Sequence, residues 1–175
     1  MNYQTIYINQ IPEEGLTLNV RFDPEVFSGD DTGIVPVTPV TFKGMIRPVA
    51  GRYLLSGRLS TVIRLTCDRC LAHYTSDITQ DVLVHFVVRK THEQLLEVIE
   101  SKDADDLDDI IDDRIDLVGV LREQIVLQIP MKALCSESCR GLCSRCGANL
   151  NEAECGCNRT SIDPRLIKLK DLLEK

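Results

Sequence analysis

Leu16, Leu18, Val20 and Phe22 alternate with Thr17, Asn19 and Arg21. This is the two-residue period of a strand with one face in a core and the other in water. Val40, Phe42 and Ile46 suggest a second strand. The longest pattern follows: Tyr53, Leu55, Leu59, Ile63, Leu65 and Cys67 share one parity, and Ser56, Arg58, Ser60 and Arg64 share the other. It predicts a long strand with an apolar face and a basic face, running directly into Cys67-Asp68-Arg69-Cys70. Ile78, Val82, Val84, Phe86 and Val88 then alternate with Thr79, Asp81 and His85. Between the first two strands, DPEVFSGDDTGIVPVTP is rich in Pro, Gly and Asp and reads as a loop. About five antiparallel strands in a meander or open barrel account for these periods.

A different period appears near residue 116. Asp116 is placed as an N-cap before LVGVLREQIVLQI, and Pro130 stops that helix. Its apolar positions run most of the way round, which predicts packing on the sheet. Ile162-Asp163-Pro164 starts a second helix, with Leu166, Leu169, Leu172 and Leu173 as a short stripe. The expected class is α+β: an antiparallel meander or open barrel packed by a helix, followed by a C-terminal zinc knuckle. The expected division is a β-rich core at 1–130 and a metal-binding segment with its helix at 131–175.

Charge changes this picture locally. The chain of 175 residues has a net charge of −7, which argues against a polyanionic ligand until its distribution is read. Residues 93–116 hold eleven acids against Lys102 and Arg114, so the run reads as a solvated, mobile connector. Residues 40–73 hold Lys43, Arg47, Arg52, Arg58, Arg64 and Arg69 against Asp68 alone. A basic surface is therefore compatible with an acidic total. Met1 opens a polar segment, and no apolar run is long enough to span a bilayer, so a cytoplasmic protein without membrane contact is expected.

Eight cysteines in four close pairs carry the chemistry: Cys67 and Cys70, Cys135 and Cys139, Cys143 and Cys146, Cys155 and Cys157. A two-residue gap lets both thiolates of a tight turn reach one tetrahedral ion. Eight is the number two four-thiolate sites need. The simplest partition gives Cys143, Cys146, Cys155 and Cys157 one zinc, and Cys67, Cys70, Cys135 and Cys139 another, clipping the helix end to the hairpin. One zinc drawing on both segments is the variant. Gly147, Gly141 and Gly156 offer backbone freedom beside the pairs. His73, His85 and His92 lack metalloprotease spacing and read as surface residues. Phosphate loops, nucleophile elbows and dinucleotide fingerprints are missing, and four thiolates leave zinc no open position for water. No enzymatic activity and no small-molecule substrate are expected.

The segment from Ile115 to Leu173, with Gly141-Leu142-Cys143-x-x-Cys146-Gly147, Leu150-Asn151 and Cys155-x-Cys157, resembles the C-terminal signature of the YceD family. Cys67-Asp68-Arg69-Cys70 after an alternating strand is similar to that family's upstream CxRC. The resemblance covers roughly 53–88 and 115–173. It implies a bacterial protein with a non-enzymatic role in large-subunit ribosome assembly or large-rRNA accumulation.

Two partners are expected from the resemblance taken together with the charges. Arg47, Arg52, Arg58, Arg64 and Arg69, with Arg140 and Arg145 near the knuckle, would meet large-subunit rRNA or a preribosome through phosphates. Alternatively, the acidic run 103–116 would dock a basic ribosomal protein, making the chain an interaction module or holdase. A thiol-based redox sensor is a third reading.

Overall fold

The structure is a computed structural model, described here for residues 4–27, 35–88, 107–110 and 113–157. Eight strands are β1 (Thr5–Tyr7), β2 (Leu16–Phe22), β3 (Val35–Pro36), β4 (Val40–Val49), β5 (Arg52–Thr66), β6 (His73–Val88), β7 (Leu107–Ile110) and β8 (Arg114–Asp116). They are followed by the one α-helix among the described residues, α1 (Leu117–Gln128). The main sheet has the order β2-β4-β5-β6-β7, with β3 paired to the far end of β5. β1 and β8 form a separate antiparallel pair. The described residues are thus mostly antiparallel sheet with one α-helix.

The alternating runs become strands because each places its apolar parity inward. Leu18, Phe42, Ile46, Leu55, Leu59, Ile63 and Phe86 are buried. Phe22 meets Phe27 edge-on, at 6.1 Å between centroids. The Arg122 guanidinium lies 5.8 Å from the Phe27 centroid and donates to the Val26 carbonyl. β4 turns into β5 through Ala50 and Gly51, both at positive φ, the geometry of a two-residue hairpin turn. α1 starts where expected: Asp116 accepts a 3.1 Å bond from the Gly119 amide. It buries Leu117, Val118, Val120, Leu121 and Ile125, and Gln124 accepts from Gln80 on β6.

Two expectations need correction. The sheet is not wholly antiparallel, because β7 runs parallel to β6, pairing Val88 with Ile110. A parallel neighbour needs a crossover of a dozen or more residues, and eighteen separate Val88 from Leu107. Nor is the acidic run a connector throughout. Its described parts include β7 and β8, because Ile110 and Ile115 find burial and draw their acidic neighbours into strand geometry. The rest of that run and the predicted helix after Pro164 lie outside the described residues.

The chain divides into two compact units, 1–65 with 74–131, and 66–73 with 132–175. The first holds the sheet and α1; the second holds all eight cysteines. No described helix is long and apolar enough to cross a membrane.

Candidate metal centres and basic sheet face

In the second unit two tight turns share one backbone plan. The Leu71 amide donates to the Cys67 carbonyl at 2.9 Å, and the Cys67 amide to Ala72 at 2.9 Å. In the other turn, Gly147 donates to Cys143 at 2.9 Å, and Cys143 to Ala148 at 2.8 Å. The residue after the second cysteine is left-handed in both, Leu71 at φ 59° and Gly147 at φ 72°. Leucine accepts that conformation at a cost glycine avoids. This plan turns backbone N–H groups toward the first sulfur of each pair. The Cys67 thiol, bonded by the Cys135 amide and, against burial, by those of Cys70 and Arg69, is pulled down to about 6. Cys143, bonded by the Arg145 and Cys146 amides, is also pulled down to about 6.

The sulfurs gather as two groups of four: Cys67, Cys70, Cys135 and Cys139, and Cys143, Cys146, Cys155 and Cys157. Within each group all lie within 4.8 Å of one another. Cys67 and Cys139 sulfurs are 3.7 Å apart, and Cys70 and Cys135 sulfurs 3.6 Å. A disulfide needs ~2.05 Å. Four thiolates at ~2.3 Å from a tetrahedral ion would stand ~3.8 Å apart. The spacing fits a metal and not a bridge. Crowding makes the same point chemically. Cys135 is pushed up to about 12 by its bond to the Cys70 thiol and by burial. Cys157 is pushed up to about 12 by its bond to Cys146 and by burial. Four sulfurs this close cannot all ionise without a cation between them.

The surroundings differ. In the first group Cys67, Cys70 and Cys139 are buried; in the second only Cys143 is. Asp68 ties the two segments of the first group, accepting at 2.7 Å from the Ala133 amide while its own amide donates to the Ala133 carbonyl at 2.8 Å. Arg69 donates at 2.9 Å to the Cys139 carbonyl. Asn151 belongs to the loop between the later pairs, yet its amide donates to the Cys139 sulfur at 3.3 Å. Its side-chain oxygen accepts from the Arg140 amide at 2.7 Å. Burial pushes the Cys139 thiol up, but the Asn151 amide and the Gly141 N–H outweigh it and the net direction is down. In the sequence Asn151 stands out only as part of a signature; its contact with sulfur needs the folded chain. His73 bonds Thr66 at 3.1 Å and joins neither group.

The predicted arginines fall in two places. Arg69, Arg140 and Arg145 are in the second unit, where Arg69 holds carbonyls and Arg140 pairs with Glu154 at 2.7 Å. Arg47, Arg52, Arg58 and Arg64 are exposed on the face of the sheet opposite the core. Register adds two residues to that set: Lys43 stands opposite Arg58, and Arg21 opposite Thr41. Parity within β2 and β4 carried that signal, but only register puts the rows side by side. β2, β4 and β5 contain no acidic residue. Arg58 is held at 2.8 Å by Asp81 of β6. Arg21, Lys43, Arg47, Arg52 and Arg64 have no acidic partner among the described residues.

The family described as Large ribosomal RNA subunit accumulation protein YceD matches residues 55–173. The chain is 31% identical over 160 residues to Large ribosomal RNA subunit accumulation protein YCED homolog 1, chloroplastic, of Zea mays, covering 76% of this chain and 53% of that protein. It is 24% identical over 173 residues to the uncharacterized protein YlbN of Bacillus subtilis, covering 98% of this chain and 96% of that one. The chain thus spans about half the length of the maize relative. No solved structure matches it.

Proposed function

The chain belongs to the YceD family, and on that premise we propose that it is a non-enzymatic zinc-binding factor supporting large-rRNA accumulation, with RNA or a preribosome held on its sheet. The family description names large ribosomal RNA accumulation. The observation that carries the RNA contact is the face built by β2, β4 and β5, six cations on three adjacent strands free of carboxylates. Phosphates would be held there electrostatically. Much of the acidic total lies in residues 93–116, outside these strands.

Zinc suits the donor sets, since soft thiolates in fours are its structural ligands. Each ion would be enclosed by Cys67, Cys70, Cys135 and Cys139 or by Cys143, Cys146, Cys155 and Cys157, with no position open for water or substrate. The two turns then act as zinc knuckles, and the metals are scaffold. Asn151 supports the Cys139 thiolate, so Asn151→Ala is expected to weaken metal retention by the first group about 10-fold. Chelator competition with Cys67-group occupancy read by native mass spectrometry would measure it, and unchanged retention would contradict the role.

The RNA reading is tested with Arg52→Glu and Arg64→Glu together. Neither residue is ion-paired among the described residues, unlike Arg58. Crosslinking of the variant to large-subunit rRNA in cells is expected to disappear. Crosslinking at the wild-type level would overturn the reading.

A further inference from the structure

The composition and layout of the basic face say more than that it is positive. β5 carries Arg52, Arg58 and Arg64 at six-residue intervals on one parity. At ~3.3 Å per residue these stand roughly 20 Å apart and span roughly 40 Å. Arg47, Lys43 and Arg21 extend the array sideways across β4 and β2. Charges spread this way do not converge on a phosphate, a nucleotide or any other small anion. They match a long polyanion.

The remainder of the face distinguishes between polyanions. Between the cations lie Thr17, Asn19, Thr41, Ser56 and Ser60, together with the half-buried Met45, Leu54 and Val62 and the exposed Val49, all on the same parity. The aromatics of these strands are on the opposite one: Phe22 and Phe42 are buried and Tyr53 is half-buried. A surface for single strands stacks successive bases on exposed rings, and this face has none on β2, β4 or β5. Duplex RNA asks for something else. Its bases are hidden from side chains in the deep groove, and its wide, shallow groove displays phosphates and 2′-hydroxyls. Cations interleaved with short hydroxyl and amide side chains meet those groups. β6 sets a boundary, because Asp77 and Asp81 are exposed there and Asp81 already holds Arg58.

We propose that the acid-free face of β2, β4 and β5 binds the backbone of duplex RNA without reading its sequence. This rests on the RNA reading above and narrows it to helical segments. Contacts are to phosphates from Arg21, Lys43, Arg47, Arg52 and Arg64, and to 2′-hydroxyls from the hydroxyl and amide side chains between them. Exchanging base pairs leaves affinity unchanged, and salt weakens it strongly.

The test uses the metal-loaded full chain and three probes of one sequence: an RNA duplex of about 20 base pairs, one unstructured strand of it, and the equivalent DNA duplex. Fluorescence anisotropy across a salt series is expected to give at least 10-fold tighter binding to duplex RNA than to either other probe. The log–log salt slope should be about −4.5 if the five cations lacking acidic partners each neutralise one phosphate. Arg47→Glu, Arg52→Glu and Arg64→Glu together should flatten it by about 3. Lys43→Glu alone, at an exposed position, guards against misfolding of the triple variant and should flatten the slope by about 1. Single-stranded RNA bound as tightly as the duplex would overturn the inference while leaving the RNA reading standing. DNA duplex bound equally well would also overturn it, since the hydroxyl contacts would then contribute nothing. No binding to any probe, together with undiminished rRNA crosslinking of the Arg52→Glu, Arg64→Glu variant, would overturn both.

Discussion

Stripping the metal with a strong chelator is expected to unfold residues 66–73 and 132–157 while the sheet and α1 stay folded. Among its described residues the second unit has little apolar burial to hold it. Apart from cysteines, its buried apolar side chains among the described residues are Ala133 and Leu150. Burying a leucine contributes ~2 kcal/mol, against ~1–2 kcal/mol of backbone entropy for every residue ordered. A structural zinc site contributes ~10 kcal/mol or more. The first unit has its own core around Phe42, Leu55, Leu59 and Phe86 and does not need the ions. Hydrogen exchange should therefore show protection lost at 66–73 and 132–157 and kept in β4, β5 and α1, as all eight thiols become reactive. Undiminished protection after complete metal loss would refute this. Acid should act in the same direction. Cys135 and Cys157, pushed up to about 12 without metal, must give up their protons to bind it.

Gly57→Val is expected to destabilise the first unit by about 3 kcal/mol or more, the upper range for overpacking a tight interior. Gly57 and Gly44 face each other across β4 and β5. A Cβ on Gly57 would lie 2.5 Å from the Lys43 carbonyl oxygen, 2.6 Å from the Gly44 Cα and 2.7 Å from the Phe42 ring. Two of those obstacles are backbone and cannot swing away. The third, Phe42, is fully buried and meets a Cβ built on either glycine. A thermal midpoint lower by roughly 10 °C should result. Gly51→Asn is the contrast: the turn has φ 79° there with open space around it, and asparagine tolerates that region. Its midpoint should barely move. Equal effects from the two substitutions would mean that the strands do not approach closely at Gly57.

Much of the fold was legible because period and burial agree. The run from Leu16 to Phe22 became β2 with those bounds, and the long alternation after Arg52 became β5. Asp116 caps α1 and Pro130 follows its end. What escaped depended on partners distant in sequence. β1 pairs with β8 across more than a hundred residues, and three residues carry too little periodicity to announce themselves. β7 was hidden by its charge, since acidic composition signals solvation, whereas Ile110 at its end is buried. The β4–β5 turn was obscured because Ala50 occupies a left-handed position usually given to Asn or Gly.

The cysteine groups divide in the same way. Spacing within each pair is local geometry, so the sequence alone determined that Cys67 with Cys70, and Cys143 with Cys146, could share an ion. It also determined which parity of β5 is basic, because alternation in a strand is a property of the backbone. Which pairs combine was decided by the tertiary structure, which brings Cys135 and Cys139 to the hairpin tip and Asn151 to the Cys139 sulfur. Register, equally non-local, set Lys43 opposite Arg58 and Asp81 against it. It thereby turned separate basic strands into one surface and neutralised one of its charges. Chain connectivity fixes neighbours up to about four residues away; distances between segments far apart in sequence are set by how the core packs.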